Sequence, residues 1–309
     1  MNTQSNALPQ SPLGSQLIPA VVPTTRPMYW SILRELWEYR SIYLAPLAAA
    51  AVYLFGFLIS TVRLPHKMRS LPGLDPAKQY DTIASPYHLA MGLILGASFI
   101  VGIFYCLDAL HGERRDRSIL FWKSLPVSDL TTVLSKAFVA IVLIQLVGFV
   151  ITVATQWIML LLSSAVLLAN GLSVATLWTQ VSLFRMSLML LYHLVTVHML
   201  WYAPIYAWLL LVSGWARRGA LLWAILPPLA IGAVEKIALN TQHFADLMLY
   251  RFTAEKAGGM ADPGGFPVDP GVHIHVGAFL STPGLWIGLI VAAVFLAAAV
   301  RLRRYREPI

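Results

Sequence analysis

Charge is scarce in this 309-residue chain. Only 12% of its residues are Asp, Glu, Lys or Arg, against roughly 25% in an ordinary soluble domain. With 58% hydrophobic residues and a mean hydropathy of +0.69, that scarcity excludes a water-soluble globular domain. Cysteine is nearly absent as well. The single thiol, Cys106, sits in an apolar run, so it forms no intrachain disulfide and reads as a small buried hydrophobe. No Gly-Lys dipeptide occurs, so the phosphate-cradling loop that ends in Gly-Lys-Ser/Thr is missing. His-Glu-x-x-His, Gly-x-Ser-x-Gly and compact Cys/His sets are missing too. So is the inverted duplication that many secondary transporters carry. The net charge of +8 would point to nucleic acid in a soluble protein. In a membrane chain it reflects basic residues held on the cytoplasmic side, and no nucleic-acid partner is expected.

What is present is a series of charge-free runs, each long enough to cross the roughly 20-residue helical span of a bilayer core. The runs between Arg40 and Arg63 and between Asp81 and Asp108 place spans one and two at 42–61 and 86–107. The uncharged stretch from Lys136 to Arg185 is too long for one helix, and Asn170-Gly171 is its strong turn signal. Span three is therefore expected at 133–168, a short surface segment at 172–182 and span four at 184–213. Spans five and six follow at 219–240 and 282–300. The expected class is an all-α, polytopic membrane protein with six transmembrane helices. An N-terminal interfacial helix precedes them, and an outer insertion lies between helices five and six. Residues 1–28, rich in Pro, Ser, Gln and Asn, lack the basic and apolar regions of a signal peptide and read as a flexible cytoplasmic tail; the domain is 29–309.

With both termini inside, fourteen of the 22 Lys and Arg residues fall on the cytoplasmic side, as the positive-inside tendency requires. The first outer loop runs against that tendency, with Arg63, Lys67, Arg69 and Lys78.

Two segments on the cytoplasmic side invite a mechanism. Residues 29–40, YWSILRELWEYR, form an amphipathic pattern with Ser31, Arg34, Glu35 and Glu38 on one face and Trp30, Leu33 and Trp37 on the other. Tryptophan on such a face favours the headgroup layer. The plain reading is an interfacial anchor; the functional one is an elbow that moves with a cytoplasmic partner. The second segment is a charged cassette, HGERRDRSILFWKSLPVSD, from His111 to Asp129. Glu113 and Arg117 stand in the favourable i,i+4 order on a helix. Ile119 to Trp122 form an apolar run, Pro126 ends the element, and Ser128 or Asp129 can cap the next helix. A topology signal needs neither acidic residues nor aromatics, so the mixture points to a folded docking element.

The string ERRDRSILFWKSLPVSDLTTVLSK resembles the cytoplasmic segment of ABC-2 type transporter permeases. The matching residues are Glu113, Arg117, Ser118, Ile119, Ser124, Leu125, Pro126, Val127, Ser128, Ser135 and Lys136. The resemblance implies a dimeric permease subunit of a bacterial exporter in the cytoplasmic (inner) membrane. It further implies two copies of a separate ATPase, which carries the ATP and Mg, and no catalytic site or cofactor in this chain. By the same resemblance, the ATPase would be met by Arg34, Glu35 and Glu38 of 29–40. On 111–126 it would be met by Glu113, Arg114, Arg115, Asp116, Arg117, Ser118, Leu125 and Pro126. Membrane lipid is the other expected partner, and the cargo stays open.

The remaining polar groups are weaker signals. His273-x-His275 and His243, with Asp246, Asp262 and Asp269, include metal-ligating types, but in a Pro/Gly-rich loop they are not preorganised, and no metal is expected. His193 and His198 are five apart, about 140° round an α-helix, and so are expected on different faces. Glu235-Lys236 lies about 25 Å up span five from Arg218 and is expected to be interfacial or locally paired. Two other classes compete with the permease: an ion-coupled secondary transporter, and a non-transporting scaffold or intramembrane enzyme.

Overall fold

A computed structural model describes residues 25–73, 75–124, 127–253 and 276–305. Among these the ordered elements are helical, and six segments are long and apolar enough to cross a membrane: Ser41–Gly73, Pro76–Arg115, Asp129–Ala169, Ala175–Trp201, Ala220–Leu239 and Pro283–Tyr305. The chain starts with α1 (Thr25–Glu38). Span one is α2 (Ser41–Ser60), continued by a 3-10 turn into α3 (Leu64–Ser70). Span two, α4 (Pro76–Ala109), runs ten residues further toward its start than the charge-free run implied, because Asp81 and Lys78 ride on its exposed end. Pro86 interrupts its ladder, and Tyr53 Oη of α2 donates to the Pro86 carbonyl at 2.6 Å.

The cassette folds as two short helices, α5 (His111–Arg115) and α6 (Ile119–Ser124). Span three comprises α7 (Asp129–Phe138), a π-helical turn (Val139–Leu143) and α8 (Ile144–Ala169). Ser128 caps α7, accepting from the Thr131 amide at 3.0 Å, as the Ser-Asp pair foreshadowed. The turn at Asn170-Gly171 is present, with Gly171 at φ 68, and is followed by the surface helix α9 (Ala175–Gln180). The fourth crossing is not one straight helix. It consists of α10 (Leu183–His193), a second π-helical segment (Leu194–Trp201) and, after Tyr202, α11 (Ala203–Trp215) with Pro204 in its first turn. Then come α12 (Ala220–Leu239), α13 (His243–Thr253), α14 (Val276–Leu280) and α15 (Pro283–Tyr305). The Gly/Pro-rich 258–271, together with His273 and His275, lies outside the described residues.

α2, α4 and α8 pack on one another, and α11 joins α4 to α15. Where α11 meets α15 the contact is lined by Ala203, Ala207 and Ala292, small side chains that let helix backbones approach in a bilayer. Two apolar clusters are stacked along the bundle. One, around Phe57, Tyr87, Met91 and Leu160, fills the end reached by α3 and α9. The other, around Ile42, Tyr105, Ile144, Tyr206 and Leu210, fills the end reached by α1 and contains the fully buried Cys106. α12 stands at the edge: Ala220 and Ala224 are its only buried residues.

Candidate functional site: a buried ion network under the charged cassette

The polar stripe of α1 turns toward the protein. Glu35 is 1% exposed, while Tyr29, Trp30 and Trp37 on the opposite side are each at least 60% exposed. Lys136, in the last turn of α7, is 1% exposed and places Nζ 2.7 Å from Glu35 Oε1. Tyr105 of α4 donates to the other Glu35 oxygen at 2.9 Å. Glu35 therefore has a partner on each carboxylate oxygen, as a carboxylate withdrawn from water requires.

Glu113 is the centre of the network. It is 4% exposed, and its Oε1 lies 2.9 Å from Arg34 Nη2 and 3.2 Å from Lys136 Nζ. Its Oε2 accepts from Arg303 Nη1 near the end of α15. Arg303 Nε in turn stands 3.1 Å from Asp129 Oδ1, an ion pair without hydrogen-bond alignment. The innermost set is two carboxylates, Glu35 and Glu113, against two cations, Lys136 and Arg303, so it is neutral overall. Arg34 bridges both carboxylates, at 2.6 Å from Glu35 Oε1, and its guanidinium lies 4.0 Å over the Trp122 ring. Burial alone would lower the Arg34 pKa; the carboxylates of Glu35 and Glu113 raise it above the ordinary value. Glu38, at the rim, pairs with Arg34 at 3.5 Å, and its pKa is raised chiefly by burial, then by the Glu35 charge.

The cassette is also held to α11. Ser213 Oγ accepts from the Leu110 and His111 amides at 2.9 and 2.8 Å, and Arg114 donates to the Gly214 carbonyl at 2.8 Å. Tyr39, between α1 and α2, donates to Asp108 at 3.1 Å; its pKa is raised by burial and by that carboxylate.

The eleven residues singled out from the sequence thus divide. Glu35, Glu113 and Arg114 are internal, and Arg34 and Ser118 are half-buried. Glu38, Arg115, Asp116 and Arg117 are exposed, and Leu125 and Pro126 lie outside the described residues. The i,i+4 pair between Glu113 and Arg117 is replaced by another arrangement. α5 ends at Arg115 and Arg117 takes a left-handed φ of 57°, so the chain turns away before Arg117 can return to Glu113. Beyond that turn Leu120 and Phe121 are each 59% exposed. The sequence reading missed Lys136, Arg303, Asp129 and Tyr105 as network members. A charged Lys136 at the head of a long apolar run was the one available signal.

His193 and His198 share a face after all, with ring centroids 5.6 Å apart. The intervening π-helical segment closes i to i+5, so two residues five apart come nearly into line. Phe99 and Tyr202 complete that aromatic group at 6.1 and 5.5 Å from the His198 ring. Glu235 is locally paired: it accepts from the Thr241 hydroxyl and from the His243 and Phe244 amides, each at 2.8 Å, and so caps α13. Among the described residues no group of three or more His, Cys, Asp or Glu is placed to hold a metal ion.

Comparison with known protein families, with curated proteins and with solved structures finds no match.

Proposed function

We propose that this chain is the membrane-spanning permease subunit of an ATP-driven exporter of the ABC-2 type, acting as a dimer with a separate ATPase. One observation carries the reading. The cassette has an ion-paired inner side and an exposed outer side, joined by a single short turn. Glu113 on the inner side touches α1, span three and span six at once through Arg34, Lys136 and Arg303. Arg115, Asp116, Arg117, Leu120 and Phe121 on the outer side offer mixed charge and apolar area to a partner. Movement of a docked ATPase would thereby reach three elements through one carboxylate. The membrane is the bacterial cytoplasmic one, with both termini and the cassette inside. The tryptophan face of α1 lies in its headgroup layer, and the residues after α12 form the outer insertion.

The test is co-purification with a candidate ABC-type ATPase co-expressed with this chain. Arg117→Glu combined with Phe121→Asp should cut recovery of the ATPase at least tenfold, with thermal unfolding of the permease unchanged. Lys78→Glu, at the opposite end of span two, should have no effect. Equal recovery from all three proteins would contradict the reading, and transport by ATPase-free vesicles under a proton gradient would favour the ion-coupled class instead.

A further inference from the structure

Arg217 and Arg218 stand side by side in the turn between α11 and α12, and the ion network does not use them. Both are exposed, as is Gly219, whose φ of 61° lets the chain reverse into α12. The turn is tied to the charged end of the molecule. The Ala216 carbonyl accepts from Arg114 Nη1 at 3.3 Å and lies 3.2 Å from His111 Nδ1. No Asp or Glu occurs in the sequence between Asp129 and Glu235. Among the described residues no carboxylate pairs with Arg217 or Arg218. Elsewhere at this end arginines are engaged: Arg34 by Glu35 and Glu113, Arg303 by Glu113 and Asp129, Arg115 by Asp116. Two adjacent cations without an internal partner leave their complementary charge to come from outside the chain.

The surroundings of the turn indicate lipid. Trp215 and Trp223 flank the arginines in sequence and stack edge-on at 4.8 Å, and they are 36% and 43% exposed. Partly exposed indoles favour the headgroup layer. Beyond them α12 presents Leu222, Leu226 and Leu229, spaced i, i+4 and i+7 on one face and each more than half exposed. Only Ala220 and Ala224 of that helix are buried. A second copy docked symmetrically about this turn would bring like charges together, which disfavours it as the occupant. A cationic turn at headgroup level above a bare apolar helix face is complementary to an amphiphile with an acidic head.

We infer that the α11–α12 turn binds an anionic phospholipid of the leaflet at this end, its phosphate on Arg217 and Arg218 and its acyl chains along Leu222, Leu226 and Leu229. The guanidinium fork offers parallel N–H donors that match phosphate oxygens. Each basic residue near a membrane surface favours an acidic lipid by roughly fivefold, so the pair gives tenfold or more. Such a lipid would tie down α12, which has little protein packed against it. The inference needs only the membrane-spanning bundle and stands apart from the permease reading, because it involves neither ATPase nor transport.

Native mass spectrometry of the purified chain in an uncharged detergent tests it, with phosphatidylglycerol and phosphatidylcholine as probes. Phosphatidylglycerol should be retained about tenfold or more tightly than phosphatidylcholine. Arg217→Gln combined with Arg218→Gln should abolish most of that preference. Arg301→Gln combined with Arg304→Gln removes the same charge from exposed positions at the same end, and should leave the preference unchanged. Phosphatidylglycerol should also raise the unfolding temperature of the native chain but not that of the first double variant. Glycerol phosphate, the head without the chains, should raise neither. Equal retention of the two lipids would overturn the inference, as would a preference that survives loss of Arg217 and Arg218. Equal losses from the two double variants would overturn it by assigning the effect to diffuse surface charge. Protection by glycerol phosphate equal to that by the lipid would overturn it in favour of a soluble phosphate. Phosphatidylglycerol held by the monomer but absent from a dimer would give the surface to a second copy, and so contradict it. Should the first double variant fail to fold, Arg217→Gln and Arg218→Gln singly decide between these outcomes, each with a partial loss expected.

Discussion

Glu113 and Arg117 stand four residues apart in one charged run, yet the fold gives them opposite duties. Removing the Glu113 carboxylate leaves Lys136 with Glu35 alone and Arg303 with Asp129 alone, so two cations no more than 5% exposed each lose one of their two anionic partners. Glu113→Ala should therefore cost about 3–5 kcal/mol, the usual penalty for breaking a buried ion pair from one side. Thermal unfolding in detergent reads this directly. Arg117 bears a left-handed φ of 57°, a conformation that glycine adopts without strain. Arg117→Gly should leave the unfolding temperature unchanged or slightly raised while weakening any partner that docks there. A loss of stability from Arg117→Gly would show that its side chain has an internal role. Glu38 gives a pH signature of definite sign. Burial raises its pKa above 4.5 in the folded state, so the folded state binds a proton more readily than the unfolded chain. That contribution is fully present below pH 4.5 and is lost as pH rises through the folded value. Glu38→Gln should flatten the decline in unfolding temperature just above pH 4.5.

At the scale of elements, the sequence was readable wherever one local signal sufficed. Runs without charge placed α2, the third crossing (Asp129–Ala169), α12 and α15 to within about five residues at each end, and Asn170-Gly171 separated the third crossing from the fourth. The alternation of Trp and Glu in α1 divided its two faces correctly. The polar face packs against the protein because Lys136 and Tyr105 wait there for Glu35. What was not readable depends on distance along the chain or on a change of helical phase. Arg303 is 190 positions from Glu113, and no periodicity connects them. The π-helical turns add a residue within a helix, and an α-helical wheel misplaces everything past them, as it did His198. Nor does sequence spacing say what holds α13 in place. The structure clamps it: Trp201 Nε1 donates to the Arg251 carbonyl at 3.0 Å, and the Arg251 guanidinium lies 4.4 Å over the Trp201 ring. Gly288 of α15 leaves room for that guanidinium, and a methyl group there would collide with Arg251 Nη2. Gly288→Ala should loosen α13, raising the rate at which a cysteine introduced by Tyr250→Cys reacts with a soluble maleimide. An unchanged labelling rate would show that α13 is held without Arg251.

Across the whole molecule, chemistry is concentrated at the two ends of an apolar bundle. One end carries the ion network and the exposed cassette, where α1, α5, α7 and α15 converge. The other carries a small, mostly apolar pocket under α3 and α9. Between them the spans are tied mainly by packing, with hydrogen bonds such as Gln145 to Tyr206 at 2.8 Å, so displacement at one end travels through helix positions rather than through a chain of charges. Glu113 is the joint at which such a displacement would enter. On the permease reading proposed above, the most direct measurement follows ATP turnover by a co-reconstituted ABC-type ATPase while monitoring the distance between spin labels on α1 and α15. With the native chain, turnover should change that distance. With Glu113→Gln the ATPase should still bind and hydrolyse ATP while the distance change shrinks or disappears. An undiminished distance change with Glu113→Gln would contradict the account, because motion would then pass from the cassette to the spans without the carboxylate that joins them.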